Sequence, residues 1–80
     1  MATVHLSNGL LEHTGGLDAI EIDAPRVHEM LIALVARFPE LAGLLDEMAV
    51  AVDGEIHQDA DYVALGPSSD VHFVPRIVGG

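Results

Sequence analysis

The residues best suited to chemistry in this sequence are the final pair, Gly79-Gly80. Glycine has no Cβ and accepts close approaches that a side chain forbids. A strand interior gains nothing from such a pair. A diglycine bearing a free carboxylate suits a carboxylate that must enter a narrow site on another protein. It equally suits a frayed end, or one left by processing. The other candidates are thinner. Histidines stand at positions 5, 13, 28, 57 and 72, and no pair has the close spacing of a zinc site. With no Cys there is no thiolate ligand, no disulfide framework and no cysteine nucleophile. Asp46-Glu47 and the Asp59, Asp61 pair read as loop solvation rather than catalytic carboxylates. We therefore expect no catalytic side chain and no metal site.

Charge and composition narrow the partners. Thirteen acidic residues face three arginines and no lysine, a formal charge of −10. Nucleic acid is disfavoured, since basic side chains supply most of that affinity. A basic protein surface would be attracted instead. Without lysine the chain cannot receive an isopeptide on its own side chains. Half of the residues are hydrophobic and 20% are charged, a composition that folds rather than one that stays disordered. No apolar run approaches membrane-spanning length, and the start lacks a signal-peptide layout. The expectation is a cytoplasmic protein, monomeric when free, with no membrane partner.

Several elements must position the C-terminal segment. Ala2-Thr3-Val4-His5-Leu6 reads as a short strand, broken at Ser7-Asn8-Gly9. Leu17 to Asp23 mixes apolar and acidic residues in the manner of a half-buried strand. Asp23-Ala24-Pro25 reads as a helix start, with a capping carboxylate and then proline in the first turn. Val27, Met30, Leu31, Leu34, Val35 and Phe38 then make one helical stripe, stopped by Pro39. Pro39 to Leu45 reads as a short helical turn. Met48 to Val52 is an apolar, β-branched strand turned by Asp53-Gly54 into a short return strand over Glu55 to His57. Tyr62, Val63 and Leu65 are expected as buried anchors. After a turn over Gly66 to Asp70, Val71 to Val74 makes the last strand, with Pro75 at its end. The first and last strands are the natural central neighbours, which places His5 and His72 on adjacent strands. Residues 1–80 then form one α+β domain. Its mixed sheet of four to five strands carries one main helix on one face, the ubiquitin-like β-grasp arrangement.

That order, with Val71-His72-Phe73-Val74-Pro75-Arg76-Ile77-Val78-Gly79-Gly80 behind it, resembles the MoaD/ThiS-type ubiquitin-like sulfur carriers. These include the small subunit of molybdopterin synthase and the carriers of the thiamine and cysteine pathways. Asp70, the apolar strand, Pro75 and the diglycine stand where that family has them. His13-Thr14-Gly15-Gly16 is similar to a loop in the cysteine-pathway carriers. There are departures. Leu11 replaces an arginine that often precedes that loop motif, Ser69-Asp70 replaces Gly-Asp, and Arg76 stands where many carriers have a small or apolar residue. The Val-Pro-Arg-Ile run also resembles phage tail-assembly proteins of the same layout.

The resemblance implies a carrier and co-substrate rather than an enzyme, of the kind that can serve as the small subunit of a synthase. The Gly80 carboxylate would be adenylated with ATP by a ubiquitin-activating-like adenylyltransferase and converted to a thiocarboxylate. A sulfur-accepting synthase subunit would then take the sulfur. The chain itself would bind no cofactor. Gly79, Val78, Ile77 and Arg76 would form a flexible arm over 76–80, and Phe73 and Pro75 would help to dock it. The alternatives are a non-catalytic assembly module and a protein modifier conjugated through Gly80.

Overall fold

The computed structural model describes residues 1–6, 9–57 and 59–75. The first strand, β1 (Ala2–His5), pairs antiparallel with β2 (Ala19–Ile22). Between them lie a 3₁₀ turn over Leu11–His13 and the loop through Gly16. Helix α1 (Val27–Arg37) follows, then a 3₁₀ turn over Pro39–Leu41 that runs into the short α2 (Ala42–Leu45). Strands β3 (Met48–Val52) and β4 (Glu55–His57) form a second antiparallel hairpin, and β5 (Asp70–Pro75) closes the fold.

The five strands lie in the order β2-β1-β5-β3-β4, with β1 and β5 parallel and β3 and β5 antiparallel. The last strand thus occupies the middle of the sheet, beside the first. Successive side chains of a strand point to opposite faces. On one face Val4, Val71 and Phe73 meet Val27, Met30 and Leu34 of α1, all of them fully buried. On the other face lie Thr3, His5, Asp70 and His72. The stripe read from the sequence is the face that α1 buries. Leu31, Val35 and Phe38 flank it, partly exposed.

The Asp53-Gly54 turn forms as expected. Both residues have positive φ, 50° and 85°, which a two-residue hairpin demands and which glycine adopts without strain. Asp53 does more than turn the chain. Its N–H donates to the Asp70 carbonyl of β5 at 2.9 Å. Its carboxylate accepts the Asp70 N–H at 2.8 Å.

Two expectations are corrected. Asp23 does not cap α1, and Pro25 is not in its first turn, because the helix begins at Val27 behind an extended Arg26. The unpaired amides of the first turn are instead met by a neighbouring loop. Val27 N–H donates to Val63 O at 3.0 Å and His28 N–H to Asp61 O at 3.1 Å. Backbone carbonyls from that loop do the work a side-chain cap would otherwise do. In the same loop Tyr62 is not an anchor: it is 83% exposed. Ala60 is the buried residue there, with Val63 and Leu65 packed partly against the core.

Candidate functional site

The site begins where β5 ends. Pro75 is exposed and stands opposite Met48 in the ladder, where β3 starts. A proline is tolerated at the end of a strand, where its missing N–H breaks no interior bond. The segment behind it is fixed from below. Val71 and Phe73 are 0% and 1% exposed and pair with Val52 and Val50 of β3. The chain therefore reaches Pro75 from an anchored central strand. Arg76, Ile77, Val78, Gly79 and Gly80, read from the sequence as an activating-enzyme arm, lie outside the described residues.

The burial of Phe73 corrects one expectation. Its ring is core, not a docking contact, because the register with Val50 turns it toward α1. The sequence run Val-His-Phe-Val does not reveal which alternate side chains face inward. The pairing with β1 and β3 decides that. Pro75 keeps its exposed position.

On the open face three polar side chains meet. His5 and His72 are direct register partners, and their rings stack with centroids 4.1 Å apart and planes 3° from parallel. His5 Nε2 lies 3.1 Å from Asp70 Oδ1, the diagonal neighbour on β5. An ionised carboxylate only accepts, so in a hydrogen bond to it the ring nitrogen is the donor. Ring nitrogens direct their lone pairs in the ring plane, so two parallel imidazoles do not converge on one ion. Among the described residues no group of three or more His, Cys, Asp or Glu could hold a metal. The adjacency of the two histidines was legible in the sequence. The Asp70 contact was missed, because it depends on strand register.

The two loop motifs have structural roles. Thr14 is buried, and its hydroxyl donates to Leu17 O at 2.8 Å, with Leu11 O at 3.3 Å. Gly15 and Gly16 follow with φ of 69° and 88°. Ser69, in place of the expected glycine, is also buried. Its Oγ accepts the Gly66 N–H at 2.8 Å and closes the turn into β5.

Comparison with known proteins places this architecture. No protein-family model matches the chain, and no curated protein matches it by sequence. Solved structures do match. CysO from the Amycolatopsis orientalis BexX/CysO complex superposes with a TM-score of 0.84 at 20% identity, over 100% of both chains. Small archaeal modifier protein 1 from Methanosarcina acetivorans gives 0.81 at 18% identity, over 99% of this chain and 95% of that one. The SAMP1 of Haloferax volcanii gives 0.73 at 24% identity, over 99% and 98%. No helix among the described residues is long and apolar enough to cross a membrane. With helix α1 laid across a five-stranded mixed sheet whose last strand is central, the chain has the ubiquitin-like β-grasp fold of these proteins.

Proposed function

We propose that this protein is a ubiquitin-like sulfur carrier. Its reacting group is the carboxylate of Gly80, at the chain end or once exposed by processing. The observation that carries this reading is the pairing of Pro75 with Met48 at the end of a buried central strand. Behind that anchored point stands Arg76-Ile77-Val78-Gly79-Gly80. Extended, Ile77 to Gly80 spans roughly 13 Å, a slim lever from a fixed base.

A carboxylate is a poor electrophile at neutral pH. Its oxygen attacks the α-phosphorus of ATP, pyrophosphate leaves, and an acyl adenylate forms. Sulfide then adds to the carbonyl and AMP departs, leaving a thiocarboxylate. With an enzyme persulfide the product is an acyl disulfide, which a second thiol cleaves to the same thiocarboxylate. None of these steps uses a side chain of this protein as acid or base. An adenylyltransferase of the ubiquitin-activating kind supplies the nucleotide site, and a synthase subunit accepts the sulfur for a cofactor or metabolite. The carrier contributes the arm and a surface to hold.

A second reading shares the first step. The likeness to two SAMP1 structures supports a modifier that passes its acyl group to lysines of other proteins. Intact mass after incubation with an adenylating partner, ATP and sulfide separates the two. Exchange of one oxygen for sulfur supports the carrier, and higher-mass conjugates support the modifier. An unchanged mass would leave the assembly-module reading in their place.

A further inference from the structure

Helix α1 keeps apolar side chains on a face that the sheet does not cover. Ile32 is 58% exposed, and with the half-buried Leu31 and Val35 it forms a shelf along the helix. Leu31 also walls a second depression. This is a cleft of about 220 Å³ between α1, the end of α2, β3 and the loop after β4. Leu45 and Met48 belong to its apolar lining, and Asp46, Asp59 and Asp61 line it as exposed residues.

Those three carboxylates have no ion pair or side-chain hydrogen bond among the described residues. The two arginines among the described residues are engaged elsewhere. Arg26 is bonded to Glu29, and the Arg37 guanidinium lies 5.5 Å from the centre of the Phe38 ring. The sequence has no lysine. Among the described residues no arginine serves the cleft, and Arg76 lies outside them, so the cleft offers its charge to a basic group of another molecule. A second copy is a poor source, because it brings the same acidic rim and the same charge of −10.

We propose that shelf and cleft together dock an amphipathic segment of a partner protein. Its apolar side chains lie on Leu31, Ile32 and Val35, and one arginine or lysine enters the cleft. Such a side chain covers Leu45 and Met48 with its aliphatic stem while its head stays among the carboxylates at the rim. Complementary charge of this kind speeds encounter and fixes orientation. Met48 is the register partner of Pro75, so a segment held here lies beside the point where residues 76–80 begin. On the carrier reading, on which only this last step rests, the segment belongs to the protein that acts on the C-terminus.

The test uses ¹⁵N-labelled full-length protein and a synthetic amphipathic peptide. The peptide carries leucines at i, i+3 and i+4 and arginines on the adjoining side, and a control carries glutamate for arginine. The arginine peptide should shift the amides around Leu31, Ile32, Asp46, Asp59 and Asp61. The combined D46N, D59N and D61N variant should bind it about fivefold more weakly. Shifts centred on His5 and His72, equal binding of the control, or an unweakened triple variant would each overturn the docking surface. A separate assay addresses the partner. In ATP–pyrophosphate exchange with the adenylating enzyme, the triple variant should raise KM for the carrier about fivefold with kcat unchanged, since rim charges act on encounter. An unchanged KM would overturn the assignment to that partner. No exchange even by the parent protein would overturn the carrier reading and leave the peptide result standing.

Discussion

The imidazoles of His5 and His72 lie face to face across the two central parallel strands, 4.1 Å apart and within 3° of parallel. They stand on the opposite face of the sheet from Val4 and Val71, which are their chain neighbours and core residues. A cross-strand contact of this kind contributes about 0.2–1 kcal/mol beyond an Ala–Ala pair. A double-mutant cycle of His5→Ala and His72→Ala, read by urea unfolding, should return a coupling in that range. The cycle removes the separate contribution of Asp70 to His5. A coupling within error of zero would mean that the rings touch without stabilising the sheet.

The two sides of α1 should respond differently to truncation. Leu34 is 0% exposed and packs against the sheet, whereas Ile32 is 58% exposed. Leu34→Ala should cost about 2–5 kcal/mol, from lost burial and the cavity left behind. Ile32→Ala should stay within about 0.5 kcal/mol. Equal losses at both positions would mean that the buried stripe is assigned to the wrong side of the helix.

The start of α1 shows where reading the sequence stops. The stripe Val27, Met30, Leu34 follows from helical spacing alone, and the structure buries those residues. Asp23-Ala24-Pro25 carries a cap signature, yet the amides of the first turn go to Val63 O and Asp61 O. A loop more than thirty positions away supplies them, and no local pattern announces it. The same limit hid the inward turn of Phe73, the outward turn of Tyr62 and the contact of His5 with Asp70. Each is fixed by long-range pairing. The C-terminal diglycine is read from residue type alone and lies outside the described residues. Asp23→Ala should therefore change stability by less than about 0.5 kcal/mol, where loss of a true cap costs about 1 kcal/mol. Thermal unfolding of the variant decides between them.

Arg26 and Glu29 form an ion pair one helical turn apart at the same helix start. The side-chain hydrogen bond from Arg26 holds the Glu29 carboxyl below its ordinary value. A carboxyl with a depressed folded value stabilises the fold above its ordinary value, and that contribution is lost as pH falls through the folded one. Carboxyl NMR titration should give Glu29 a lower midpoint in the parent than in Arg26→Gln. Identical midpoints would remove Arg26 as the cause.

The last expectation concerns the length of the C-terminal segment. If Gly80 is adenylated, its carboxylate has to stand in line with the α-phosphate in a site that admits only a chain without Cβ. Displacements of about 1 Å at such a point change rates about a hundredfold. Deleting Gly80 withdraws the carboxylate by about 3.3–3.6 Å, and adding one residue advances it by as much. Neither change touches Phe73, Val71 or their partners on β3, which anchor the strand. Both variants should unfold at the parent's urea midpoint and still bind the adenylating enzyme. Both should lose ATP–pyrophosphate exchange, as should Gly79→Phe. Deletion of Gly80 with exchange fully retained would defeat the proposed mechanism, because the reacting group would then lie elsewhere.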